Sequence, residues 1–194
     1  MGQLPFIVAG GGIGGLKVAL VLARQGHAVQ VLEHADAFGE IGAVIQLGPN
    51  VFRMFEHQGL TQPIREVAYF PPNLVMRDVR SGELVVRSPV GAQASMPQYL
   101  AQGVCIAIEG AVTLGAALCA TPHDIAAAFR RYQQARYLRT GRVQLTARFY
   151  GEIYHASGVM RELRNRMFQS GGEAAGFIGT HWLYQGIDPD RPCA

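Results

Sequence analysis

Apolar residues come in short runs near the start of the chain and at helical spacing further on. Phe6-Ile7-Val8-Ala9 is an unbroken apolar run ending at glycine, the pattern of a buried parallel strand. Gly10-Gly11-Gly12-Ile13-Gly14-Gly15 follows. Leu16, Ala19, Leu20 and Ala23 then recur at helical spacing up to Gln25, and Gly26 stops the helix. Ala28-Val29-Gln30-Val31-Leu32 is a second strand with Glu33 at its end. Two β-rich runs, Asn73 to Asp78 and Leu84 to Arg87, flank Arg80-Ser81-Gly82-Glu83 and predict a hairpin. The stretch Tyr99 to Cys119 is apolar enough to imitate a membrane span, but it contains Gln102 and Glu109. An acid at mid-membrane is costly, so the pattern predicts a buried helix and no membrane span.

Thr121-Pro122-His123-Asp124 predicts a helix start with Thr121 as N-cap and Pro122 in the first turn. Beyond it Ile125, Phe129, Tyr132, Val143, Ala147, Tyr150 and Tyr154 lie near helical spacing and predict a core stripe, with Gly141 as a break. Arg130, Arg131, Arg136, Arg139, Arg142 and Arg148 predict a solvated basic face rather than a nucleic-acid surface.

Composition narrows the picture. The 194 residues suffice for about one domain, or one and a fraction. Hydrophobic residues make up 49% and charged ones 16%, which excludes a disordered chain. A net charge of +3 is too small to imply nucleic acid. Three cysteines without metal-ligand spacing fit a reducing, cytoplasmic setting, and the N-terminus lacks the basic region of a signal peptide. His155 and His181 have no Cys or carboxylate at ligand spacing, so no metal is expected. His27, His34 and His57 read as surface or loop residues.

The opening unit carries the chemistry. Strand, glycine-rich turn, helix, strand and acid fall within about thirty residues, as a dinucleotide-binding unit requires. Gly10 permits the tight turn, Gly12 lets a pyrophosphate approach the backbone, and Gly15 lets the helix pack against the strand. Ile13 and Gly14 lie at the helix N-terminus, whose N–H groups and positive dipole end suit phosphates. Glu33 can accept hydrogen bonds from ribose hydroxyls, which favours FAD or NAD over NADP, and His34 adjoins it. This segment does not separate FAD from NAD.

The residues after Glu33 separate them by resemblance. Phe38-Gly39-Glu40-Ile41-Gly42-Ala43-Val44-Ile45-Gln46-Leu47-Gly48-Pro49-Asn50 resembles the flavoprotein aromatic hydroxylases, in the branch of salicylate hydroxylase and 3-hydroxybenzoate 6-hydroxylase. The resemblance implies that this segment runs beside the flavin and that a helix over Val51 to Phe55 follows the Pro-Asn pair. The hairpin resembles the one that opens the family's substrate-binding sheet. Gln98-Tyr99-Leu100-Ala101-Gln102-Gly103-Val104-Cys105-Ile106-Ala107-Ile108-Glu109 resembles the family's last flavin-contacting loop and helix. Arg142 to Leu145, Gly151 to Ala156 and Trp182-Leu183-Tyr184 are also similar, so the resemblance runs through nearly the whole chain.

The resemblance implies FAD as cofactor, NAD(P)H as co-substrate, and hydroxylation of a small aromatic acid with oxygen. It puts Gln46, Gln102 and Gly103 near the flavin, and Gln98 and Tyr99 on the substrate side as catalytic candidates. It also implies a gap between Val90 and Met96, where the family carries further flavin and nicotinamide motifs. Gly91 to Pro97 is similar to a remnant of a Gly-Asp-x-x-His-Pro loop in which Ala92 replaces the Asp, and Gly110 stands where the family's helix has Asp.

The expected fold class is therefore α/β. Residues 1–70 form a Rossmann-like FAD-binding βαβ unit. Residues 71–97 hold the hairpin remnant of a substrate domain and the seam. Residues 98–194 hold the flavin-facing helix and a C-terminal helical region. With only two parallel strands the sheet is incomplete and should expose apolar surface, which a second copy in a homodimer could cover. A second expectation is a relative that binds at most ADP or FAD and does not hydroxylate.

Overall fold

The structure, a computed structural model, describes residues 4–39, 45–89, 102–172 and 179–190. It is mixed α and β, with two separate two-stranded sheets. Strand β1 (Phe6–Ala9), helix α1 (Ile13–Arg24) and strand β2 (Val29–Leu32) come first, and the strands pair in parallel from Phe6↔Val29 to Ala9↔Leu32. Phe6 and Val29 pack with Val18 against a core cluster containing Leu22. Ile7 and Leu32 point to the other face and are 65% and 49% exposed. The fully buried strand expected at Phe6 to Ala9 is thus only half-buried. A helix covers one face, and the opposite apolar side chains remain open to water.

Helix α2 (Pro49–His57) contains the expected Val51 to Phe55 but starts two residues earlier, with the Pro-Asn pair as its first turn. Proline suits the first turn, where its missing N–H would be unpaired anyway. Val51, Met54 and Phe55 are its buried face. Lys17 joins α1 to α2. Its ammonium donates to the Gln58 carboxamide and lies 5.3 Å from the Phe55 ring centroid, and burial lowers its pKa to about 8. Helix α3 is Thr61–Val67.

The hairpin forms as expected: β3 (Asn73–Arg77) pairs antiparallel with β4 (Leu84–Pro89), with a register shift at Met76/Arg77. The turn is closed by Asp78, whose carboxylate accepts from the backbone N–H groups of Arg80 and Ser81. Helix α6 (Gly158–Ser170) covers β4, placing Phe168 against Val85 and Val86. Arg161 donates to both oxygens of Asp78 at 2.6 and 2.9 Å, and Arg164 and Asn165 add 3.4 and 3.1 Å contacts. Arg161 foremost, then Asn165 and the backbone N–H groups of Arg80 and Ser81, hold the Asp78 carboxyl well below the ordinary carboxylate range.

Helix α4 (Gly103–Ala120) is long and apolar enough to cross a membrane. Here it is the central helix, packed on α1, α2 and α5 (Ile125–Tyr154). Three expectations about this region need correction. Thr121 does not cap α5. Its hydroxyl donates to the Ala117 carbonyl and closes α4, and the cap is Asp124, which accepts from Ala127 N–H at 2.8 Å. A carboxylate is the stronger acceptor at a positive helix end. Gly141 does not break the helix, because its cost of about 1 kcal/mol in a helix is small beside the packing of α5 on α4. Ile125 and Phe129 lie outside the core, while Ala128 and Arg136 face inward. The inner face follows α4 rather than the apolar residues alone. A short helix α7 (His181–Tyr184) is the last helix among the described residues, with Leu183 buried.

Candidate cofactor site

The turn between β1 and α1 has the backbone that its glycines suggested. Gly10 has φ +101°, a conformation that side chains disfavour, and its N–H donates to Leu32 O at 2.7 Å. A Cβ on Gly15 would collide with the Gly10 carbonyl and come within 3.3 Å of Val8. A Cβ on Gly12 would meet nothing within 4 Å, so the backbone there is open to an incoming group. No side chain caps α1 and no acid stands in its first turn, so the N–H groups at Ile13 and Gly14 face outward with the positive dipole end.

Glu33 closes this turn from the end of β2. Its oxygens accept from the N–H groups of Gly11 (2.5 Å), His34 (2.7 Å) and Ala35 (2.9 Å). Those three bonds hold its pKa below the ordinary value. A carboxylate has about four acceptor sites, so three bonds leave it capacity for another donor. His34 itself is exposed.

The second half of the site is the start of α4. Gln102, the N-cap residue, is buried, and Gly103 opens the helix. Gln46 lies on the segment leading to α2, and its side-chain oxygen is buried without a hydrogen-bond partner. The Gly48 N–H donates to Cys105 Sγ at 3.1 Å, and burial pushes the thiol pKa up to about 11. Gly14 and Gly103 border one groove of about 380 Å³ between α1, α4 and α5. The first turns of α1 and α4 are thus neighbours, and a Cβ on Gly14 would touch Ala107 at 3.4 Å.

Behind this end lies a buried polar network. Asn50 Nδ2 donates to Gln102 Oε1 at 3.1 Å and to Glu109 Oε1 at 2.8 Å. Glu109 also accepts from Arg136 Nη1 (2.9 Å), Arg139 Nε (2.6 Å) and Arg139 Nη2 (2.6 Å). Burial opposes ionisation of Glu109, but Arg139, Asn50 and Arg136 outweigh it and hold its pKa below the ordinary value. The basic face expected to be solvated is therefore split. Arg136 and Arg139 are 6% and 14% exposed and turn inward onto this carboxylate, and Arg142 stacks 3.9 Å from the Trp182 ring centroid.

Gln98 and Tyr99 lie outside the described residues, as do Glu40 to Val44, Ala92 and the rest of the suspected loop remnant. Among the described residues no group of His, Cys, Asp and Glu side chains could hold a metal ion. Asn50, Arg136 and Arg139 escaped the sequence analysis as parts of this site. The signal available was Glu109, since an acid inside an apolar helix needs partners. Nothing local says which arginines supply them.

This geometry accompanies a partial homology to FAD-dependent aromatic hydroxylases and monooxygenases. No protein-family model matches the chain. It is similar to 3-hydroxybenzoate 6-hydroxylase of Polaromonas naphthalenivorans (strain CJ2), 52% identical over 89 residues, 46% of this chain and 22% of that protein. It is similar to 6-hydroxynicotinate 3-monooxygenase of Bordetella bronchiseptica, 36% identical over 93 residues, 48% of this chain and 24% of that protein. FAD-dependent monooxygenase OpS4 of Beauveria bassiana is 32% identical over 96 residues, 50% of this chain and 22% of that protein. The chain thus matches under a quarter of the length of these relatives, and each match spans at most half of the chain.

Proposed function

We propose that this chain carries the FAD-holding part of a flavoprotein hydroxylase that acts on a small hydroxylated aromatic acid with NAD(P)H and oxygen. The observation that carries this reading is the β1–α1 turn, with Gly10 at positive φ, Gly12 open and Glu33 fixed at the rim. In this reading residues 1–70 are the nucleotide-binding unit, 71–97 the hairpin and seam, and 98–194 the flavin-facing helix and helical region. The N–H groups at Gly12, Ile13, Gly14 and Gly15 would hold the diphosphate, aided by the α1 dipole. Glu33 would accept from a ribose hydroxyl beside His34. Gln46, with its unpartnered buried oxygen, would face the flavin ring together with Gln102 and Gly103. Gln98 and Tyr99 would lie on the substrate side. FAD, when bound, would supply hydride acceptance and oxygen activation, and the protein would place it and exclude water.

The test is the visible spectrum of the purified chain after incubation with FAD and removal of free ligand. A retained flavin spectrum is expected. Gly12→Ala should fold normally yet weaken FAD binding about tenfold or more, since the added methyl meets only the space the phosphate would use. A colourless wild type would overturn the reading. A second reading, ADP or FAD binding without hydroxylation, is favoured by Ala92, which stands where the loop it resembles has Asp. Incubation with FAD, NADH and 3-hydroxybenzoate separates the two: a hydroxylated product supports the enzyme, and flavin retention without product supports the binding module.

A further inference from the structure

We propose that Asn50 is a positioning residue that sets which end of the Gln102 carboxamide faces the loop before α2. This rests on the reading that Gln102 borders the flavin.

Polarity in the buried network carries the inference. Glu109 is a carboxylate and can only accept, so Asn50 must present its NH2 group to it. The same NH2 group reaches Gln102, which must then answer with its oxygen, Oε1. That choice leaves Gln102 Nε2 on the side of Gly48, where a Cβ on Gly48 would lie 3.0 Å from it. Glu109 thus reaches Gln102 through Asn50 and makes it a donor toward the loop that carries Gln46. A donor there would suit negative charge on a reduced cofactor.

The chain of contacts has little room to turn over. Asn50 is 1% exposed. A Cβ on Gly186 would come within 2.9 Å of the Asn50 Cβ and backbone oxygen, and one on Gly48 would collide with Asn50 Oδ1. Glu109 is clamped by two arginines, and Arg139 is tied in turn to the carbonyl oxygens of Trp182 and Leu183 at 3.4 and 3.1 Å.

A double-mutant cycle on the full chain with FAD as the probe tests this. Asn50→Leu should weaken FAD binding about tenfold and shift the visible absorption of the bound flavin. In a Gln102→Leu background, Asn50→Leu should change the affinity less than about twofold, because the side chain it acts through is gone. Unchanged affinity and spectrum in Asn50→Leu would overturn the proposal, as would effects that multiply in the double variant. Thermal melts check the fold of each variant. If Asn50→Leu does not melt like the parent, Asn50→Ser, too short to reach both partners, goes through the same cycle with the same expected results. Loss of fold in both would overturn the proposal and make Asn50 a core residue. A wild-type chain that retains no FAD would instead overturn the reading beneath it.

Discussion

The two sheets among the described residues have two strands each and meet different fates. Each has one helix laid on one face, and the fold holds two buried carboxylates gripped by two arginines each, Asp78 at the hairpin turn and Glu109 on α4. The antiparallel pair β3–β4 buries Val85 and Val86 under Phe168, and its turn is stapled to α6 through Asp78. The parallel pair β1–β2 buries Phe6 and Val29 toward α1 and α4 but leaves Ile7 and Leu32 open. A hairpin can face water on one side, whereas parallel strands are normally covered on both. The stability of the first half therefore rests on the seam of α1, α4 and α5, with Glu109 inside it, and little of it on the sheet.

This contrast can be broken at either carboxylate. Glu109→Ala would leave Arg136 and Arg139 buried without their anion and should cost about 3–5 kcal/mol in denaturant unfolding, the largest effect expected. Phe168→Ala should cost about 3 kcal/mol, and amide exchange should quicken in β3–β4 before it does in β1–β2.

Asp78 gives a pH-dependent version of the same experiment. Its folded pKa is depressed, so its contribution is present above the unfolded value, near 3.8, and is lost as pH falls through the folded value. Protection of the hairpin amides should fall in acid below that pH, and Asp78→Asn should remove that dependence. The smallest effect is expected on the bare face. Ile7→Gln should change stability by less than about 0.5 kcal/mol while reducing the binding of a hydrophobic dye. A larger loss would mean that something covers that face in solution.

Much of the architecture was legible because it is local. Gly10 and Gly15 are glycines for reasons of backbone geometry, and the strand–turn–helix–strand order follows from periodicity and punctuation within one short segment. The Ser81-Gly82 turn is an equally local signal, whereas the helix at Pro49 came from the family resemblance. The differences arise where packing between distant segments decides. Thr121 could begin α5 or end α4, and the packing of both helices decided it. Arg136 and Arg139 look like solvated positions until α4 brings a carboxylate to them.

The sequence by itself determined the strands β1 to β4 and the helices α1, α2 and α4, the glycine turn with its acid at the rim, and the kinship with flavoprotein hydroxylases. These depend on short-range sterics and on residue types at fixed spacing. Only the tertiary structure decided that Glu109 lies at the centre of a network with Asn50, Arg136 and Arg139, partners up to 59 positions away in the chain. A buried charge must find its counter-charges wherever the fold brings them, and no local pattern records that choice.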